Sequence, residues 1–288
     1  MHAVAAPPLP RIERLFAEPS ASVLDGRLAD AYGAPLSFAR RADRPTIVAN
    51  FVSTLDGVVS YATPEAAGGG EVSGFFAPDR FVMGLLRGVA DAVLIGAGTL
   101  RAGADEAWTP DYIYPDISSD VGAMRGRLGL APQPTTVVVS ASGQVDPSQP
   151  GLAAPDVPAL LVTTRAGRER IGASPSRLEL VEAGSERVEP DALVEELAGR
   201  GFGLVLCEGG PHLLGALLEH DLVDELFLTV APQIAGRSHG FPRLGLAEGV
   251  AFSVANAPWW RVVSIGRSAE HLFLRYRRER GTSATQTA

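Results

Sequence analysis

The chain has 288 residues, 46% of them hydrophobic and 20% charged, with a formal net charge of −8. That length supports one large or two small domains with a real core, and the composition is that of a soluble globular chain. An acidic pI of about 5.2 argues against nucleic acid as the main partner, and no apolar run approaches the roughly 18 residues of a membrane helix.

Residues 1–44 are rich in Pro, Ala and Arg and read as an appended arm with a short helix around Ile12–Ala17. They lack a basic start followed by an apolar segment, so no secretory signal is read and a cytoplasmic location is expected. From Pro45 the pattern sharpens. Thr46–Ser53 is a β-rich run, and Asp56-Gly57 after it is a turn signal. Ala66–Gly70 reads as a mobile glycine-rich loop. Pro78-Asp79 opens a helix whose Phe81, Val82, Leu85, Leu86 and Val89 share one face. Ala92–Gly96 is a buried strand, and Ala104–Gly122 a long aromatic surface loop. Thr135–Val139, Ala159–Thr164 and Leu178–Glu182 are strands, with a loop over Ser140–Val157, and Asp191–Arg200 is an amphipathic helix. Leu204–Cys207 is a second glycine-bounded strand, followed by a helix through Leu213–Leu218. Glu225–Val230 is a strand, and Phe252–Ala255, Trp260–Ile265 and His271–Tyr276 close the chain as antiparallel strands. Residues 278–288 read as a disordered tail. Alternating strands and helices followed by terminal strands predict a three-layer α/β fold with a mostly parallel sheet.

Two stretches run from an apolar strand into glycine. One is Leu94-Ile95-Gly96-Ala97-Gly98-Thr99; the other is Leu206-Cys207-Glu208-Gly209-Gly210-Pro211. Glycine at a strand end lets a ligand approach the backbone, and a helix starting there offers free N–H groups to a phosphate. Side by side on one sheet, two such turns make a crevice for a dinucleotide. Each turn alone is equally an ordinary strand-to-helix connection.

All 25 Lys+Arg residues are arginine. This excludes a Schiff-base or P-loop lysine and leaves phosphate to arginine, hydroxyls and backbone N–H. Cys207 is the only cysteine and reads as buried packing; the five histidines show no metal-ligand spacing, so no metal site is expected.

In order, Ser53-Thr54-Leu55-Asp56-Gly57, Leu86-Arg87, Ala90-Asp91-Ala92 through Gly98-Thr99, Glu208-Gly209-Gly210-Pro211, Leu222–Leu226 and Ala231-Pro232 resemble the reductases of riboflavin biosynthesis. The resemblance covers about residues 45–277. It implies a dihydrofolate-reductase-like fold, NADPH as cofactor and a homodimer. It also implies reduction of the ribosylamino side chain of 5-amino-6-(5-phosphoribosylamino)uracil to ribitylamino. In many bacteria that reductase is fused to a zinc deaminase; this chain has no H-x-E and no P-C-x-x-C, and resembles the stand-alone form.

The resemblance also assigns roles. Gly96, Ala97, Gly98, Thr99, Glu208, Gly209, Gly210 and Pro211 would flank the cofactor phosphates, with Val52 toward the nicotinamide. Ser140 and Arg165, just after strand ends, are candidates for a 2′-phosphate. Asp56 and Asn50 stand at catalytic positions, Asp56 as a substrate-orienting or proton-transferring group and equally as a turn former. Asn50 sits where fused enzymes tend to carry Lys. Arg87 is the candidate for the substrate phosphate, with Ser73 and Arg80 weaker and Glu208 shared between cofactor and substrate. Trp108, Tyr112 and Tyr114 either stack on a heterocycle or pack against the body. Where the family usually has Asp-Asp-Pro, this chain has Arg101-Ala102-Gly103-Ala104-Asp105. A reductase of dihydrofolate or a related ring, and a non-catalytic nucleotide-binding protein, therefore stay open as alternatives.

Overall fold

The apolar runs line up edge to edge in one sheet. The computed structural model describes residues 8–63, 66–171 and 178–280. Its strands are β1 (Glu13–Ala17), β2 (Thr46–Ser53), β3 (Ala92–Gly96), β4 (Thr135–Ser140), β5 (Ala159–Thr163), β6 (Glu179–Glu182), β7 (Leu204–Cys207), β8 (Glu225–Val230), β9 (Trp260–Ser268) and β10 (His271–Arg278). They form a ten-stranded sheet in the order β1-β9-β10-β8-β2-β7-β3-β4-β5-β6. From β8 to β6 every pairing is parallel. The β8–β10, β10–β9 and β9–β1 pairings are antiparallel.

The central strands are apolar on both faces because both are covered. Val48, Val93, Ile95 and Leu206 join one core with Phe81, Val82, Leu85 and Leu86 of the helix Ala77–Val89. Ile47, Ala49, Leu94 and Val205 join the opposite core with the helices Pro190–Gly199 and Pro211–Glu219. The result is the three-layer α/β arrangement, mostly parallel with antiparallel C-terminal strands.

Several local readings are corrected. Ile12–Ala17 is not helical: Glu13–Ala17 is β1, hydrogen-bonded along β9. Residues read as an appended arm thus supply an edge strand, and Ile12, Leu24, Leu28 and Leu36 lie in the core. Ala104–Gly122 is not one long loop, because Pro110–Ile113 is helical and the helix Ser118–Leu128 starts inside it. Ile113, Ile117, Val121 and Met124 recur at near-helical spacing and are buried. Gly84 and Gly88 make the groove that receives them; a Cβ on Gly84 would sit 2.9 Å from Ile117, and one on Gly88 2.8 Å from Val121. Phe252–Ala255 forms no strand. Asn256 accepts from Ser253 N at 2.7 Å and returns its own N–H to the Ser253 carbonyl, a side-chain-directed turn that leaves Val254 exposed. Of the tail, residues 281–288 lie outside the described residues, whereas Arg280 reaches Asp221 and Asp224, each at 2.7 Å.

Candidate active site

β3 and β7 are neighbours in the sheet, with Val93 opposite Leu206. Their glycine turns therefore emerge side by side at the carboxyl ends of the strands, where open α/β sheets bind ligands. Glu208 N donates to the Leu94 carbonyl at 3.0 Å and ties the two turns together. A Cβ on Gly209 would lie 3.3 Å from Gly96 N, and one on Gly210 3.4 Å from Thr99 Oγ1. Around Gly96 nothing comes within 4 Å of such an atom. Bare backbone on both sides, a threonine hydroxyl between them and open space in front fit a phosphate chain. The residues that would hold it are Gly96, Ala97, Gly98 and Thr99 on one side and Glu208, Gly209, Gly210 and Pro211 on the other.

The polar centre of the site is Glu208. Its Oε2 accepts from Arg87 Nε at 2.9 Å and Nη2 at 2.8 Å, and its Oε1 lies 3.4 Å from Asn50 Nδ2. Arg87 is 1% exposed, and Nη1 goes to the Ala107 and Thr109 carbonyls, each at 3.3 Å. The guanidinium thus faces inward. It holds Glu208 and the loop after the helix Ala97–Ala102, and presents no open face to a phosphate. Arg125 secures the C-terminal end of the helix Ala77–Val89: its Nη1 donates to the carbonyls of Arg87, Gly88 and Ala90 at 3.3, 3.0 and 2.8 Å. This supplies partners for groups a helix C-terminus leaves unbonded.

Asn50, Val52 and Thr229 share a sheet face by the period of two, and Val52 is opposite Thr229 in the β2–β8 register. Asn50, Thr229 and Val82 line one small cavity under the helix. The glycine loop before Ser73 lies over Val52, whose Cγ1 would be 3.0 Å from a Cβ on Gly69. Ser73 is buried, with Oγ 3.2 Å from the Gly70 carbonyl, and Arg80 is exposed.

Asp56 has a structural role. Oδ1 accepts from Thr54 at 2.6 Å and from Ala235 N at 3.1 Å, and Oδ2 from Gly236 N at 2.8 Å. The Thr54 hydroxyl and these backbone N–H groups hold its carboxyl down at about 2. The carboxylate clasps the β2 turn to the chain after β8. Trp108 and Tyr114 pack: Trp108 is buried beside Gly151, and Tyr114 meets Phe81 edge-on with centroids 5.7 Å apart. Burial pushes the Cys207 thiol up to about 12, which leaves it inert.

Ser140 ends β4, and Arg165 follows β5 on the same edge of the sheet. Ser140 is buried, its carbonyl accepting from Thr163 Oγ1 at 2.7 Å. Arg165 is 71% exposed and bridges to Glu182 at 3.2 Å.

One group went unnoticed in the sequence. Asp79, read only as a helix opener, is buried under the first turn of the helix. Its signal is its spacing: Asp79, Val82 and Leu86 fall at i, i+3 and i+7, so a carboxyl stands on the apolar stripe.

A mostly parallel α/β sheet with paired glycine turns at its carboxyl edge defines an enzyme architecture built to receive a small molecule. Residues 45–263 match the RibD C-terminal domain, and the chain belongs to that family. A 2,5-diamino-6-ribosylamino-4(3H)-pyrimidinone 5′-phosphate reductase of Methanothermobacter thermautotrophicus is 30% identical over 195 residues, 67% of this chain and 80% of that protein. A pyrimidine reductase-like protein of Corynebacterium diphtheriae superposes with a TM-score of 0.63 at 21% identity, over 82% of this chain and 93% of that one. The deaminase/reductase of Thermotoga maritima gives 0.61 at 20% identity, over 82% of this chain and 57% of that one. The protein is an oxidoreductase. None of its helices, among the described residues, is long and apolar enough to cross a membrane.

Proposed function

We propose that this protein is an NADPH-dependent reductase of riboflavin biosynthesis, reducing the ribosylamino side chain of a phosphorylated pyrimidine to ribitylamino. The carrying observation is the joined pair of glycine turns, with the Thr99 hydroxyl 3.4 Å from where a Cβ on Gly210 would sit. The 30% identical relative is named for a 2,5-diaminopyrimidinone phosphate, so that ring stands beside 5-amino-6-(5-phosphoribosylamino)uracil as substrate. A reduced nicotinamide supplies hydride when bound. The protein positions it: the glycine turns take the pyrophosphate, Val52 borders the nicotinamide, and Asn50 and Glu208 orient the substrate. Arg87 acts through Glu208, and Arg80 is the exposed arginine on the same helix for the substrate phosphate.

Arg165 and Ser140 are proposed for the 2′-phosphate that distinguishes NADPH from NADH. Arg165→Ala should then weaken NADPH binding and leave NADH binding unchanged. A homodimer is part of the proposal, to be read by sedimentation, and a cytoplasmic location goes with a soluble cofactor. The decisive assay follows NADPH oxidation with both pyrimidine phosphates and dihydrofolate offered in parallel. Turnover of a pyrimidine phosphate supports the proposal; turnover of dihydrofolate alone, or cofactor binding without oxidation on any of the three, refutes it.

A further inference from the structure

The crevice needs positive charge that its two turns do not supply. The pyrophosphate of a nicotinamide dinucleotide is anionic, whereas the turns offer backbone N–H groups and the Thr99 hydroxyl. The chain has no lysine, so the charge has to come from arginine. Arg87 is not free to give it, being buried and held by Glu208 at 2.8 Å. Arg165 follows β5, two strands away from β3 in the sheet, and bridges to Glu182 at 3.2 Å.

Arg101 stands at the crevice itself. It lies on the helix Ala97–Ala102, which continues directly from the glycine turn of β3. Gly98 and Arg101 are i and i+3 on that helix and share a face. Helical side chains lean toward the N-terminus, and this one does: Arg101 Nη2 comes to 4.0 Å from where a Cβ on Gly98 would sit. The ordinary work of an arginine in the last turn of a helix is to donate to the final carbonyls or to pair with an acid. Arg101 does neither. The helix end is closed instead by Gly103 N, which donates to the Thr99 carbonyl at 3.0 Å. Among the described residues no carboxylate, carbonyl or ring meets the Arg101 guanidinium. The acids that follow leave it alone: Asp105 is exposed and makes no bridge to it, and Glu106 turns onto Gly103, its Cδ 2.9 Å from where a Cβ there would be. An exposed, unpartnered guanidinium therefore lies back over a bare glycine of the phosphate turn.

We propose that Arg101 binds the pyrophosphate of the nicotinamide dinucleotide, giving the counter-charge that the glycine turns lack and presenting a planar fork to two phosphate oxygens. The inference rests on the reductase reading above and deepens it. Place selects the pyrophosphate over the other phosphates. The candidates for the 2′-phosphate stand at β4 and β5, and Arg80, the exposed arginine for the substrate phosphate, is on the helix Ala77–Val89. Arg101 is on the turn that receives the middle of the cofactor. Gly98 has a second use in this arrangement: without a side chain it leaves clear the ground over which the guanidinium lies.

The test is calorimetric titration of NADPH and, separately, of NADH into the full-length parent and its Arg101→Ala, Arg101→Lys and Arg101→Glu variants. The melting temperature of each controls for folding. Arg101→Ala should raise Kd for both dinucleotides by the same factor, about tenfold or more, the scale of one lost charge-assisted hydrogen bond. Equal factors single out the group that the two dinucleotides share. Arg101→Lys should recover most of the affinity, Arg101→Glu should bind more weakly than Arg101→Ala, and the parent's advantage over Arg101→Ala should shrink as salt is added. Arg101→Ala binding both dinucleotides like the parent overturns the inference. So does a loss confined to NADPH, which would move Arg101 to the 2′-phosphate, or a raised KM for the pyrimidine phosphate with dinucleotide affinity intact, which would move it to the substrate. In each of these the reductase reading stands. A parent that binds neither dinucleotide overturns that reading and the inference together.

Discussion

Arg87 and Glu208 form an ion pair whose side chains are 1% and 5% exposed, with contacts of 2.8 and 2.9 Å to one carboxylate oxygen. Replacing Arg87 with Met keeps most of the volume and removes the charge. Glu208 is then left buried with Asn50 at 3.4 Å as its remaining side-chain partner, and the Ala107 and Thr109 carbonyls lose their donor. Breaking a buried pair from one side costs about 3–5 kcal/mol, mostly the uncompensated charge. In a domain of this size each kcal/mol lowers Tm by about 2–4 °C, so Arg87→Met should melt roughly 6–20 °C below the parent. Glu208→Gln should be similarly destabilised. The double variant should be less destabilised than the sum of the singles by at least about 1.5 kcal/mol, because it leaves no orphan charge. Denaturant unfolding of the four proteins measures the cycle. Arg87→Met within about 1 kcal/mol of the parent, or strict additivity in the double, would refute the reasoning. Because the guanidinium faces inward, Arg87→Met should also slow phosphorylated and dephosphorylated substrates alike. A loss confined to the phosphorylated one would return Arg87 to the phosphate.

Asp56 has a folded-state value of about 2 against an ordinary 3.8, so its contribution is present above the ordinary value and lost as pH falls through about 2. Acid unfolding should therefore be steeper between those values in the parent than in Asp56→Asn, and parallel curves would remove the clasp. Gly88→Leu places a Cβ 2.8 Å from Val121 and 3.2 Å from Met124. It should lower urea-unfolding stability by about 1–3 kcal/mol, and an unchanged midpoint would show that the two helices separate freely. At Gly98 a Cβ meets nothing nearer than Arg101 at 4.0 Å. Gly98→Val should leave Tm in place while NADPH affinity falls at least about tenfold, and retained affinity would put the cofactor elsewhere.

The core strands and principal helices were legible because period and punctuation are local. Val93-Leu94-Ile95 and Val205-Leu206-Cys207, each ending in glycine, announce buried strands whatever their neighbours do. Assignments failed where a partner decides. Glu13–Ala17 carries no strong strand pattern and becomes a strand by pairing with β9, whose residues lie some 250 positions away. Ile113, Ile117, Val121 and Met124 hid their period behind two prolines and the aromatics of the same stretch. They become a helical flank only against the groove made by Gly84 and Gly88. In the site, the glycine turns were readable because their chemistry is backbone chemistry. The arginines were not, because an arginine's role depends on which carboxylate it meets, and Arg87 met Glu208 across 121 positions.

The aspartates carry the same lesson into chemistry. Asp56 sits in a recognisable turn, and that turn is what disqualifies it: a hydroxyl and two N–H groups satisfy the carboxylate so fully that no proton remains on it near neutrality. Asp79 sits in no motif, and burial pushes its carboxyl up to about 6. A turn is written in adjacent residues, whereas burial is produced by elements that meet from separate parts of the chain. Reaction chemistry that depends on a displaced pKa is for that reason read from the fold, and the residue to distrust in a sequence is the acid whose local motif already explains it.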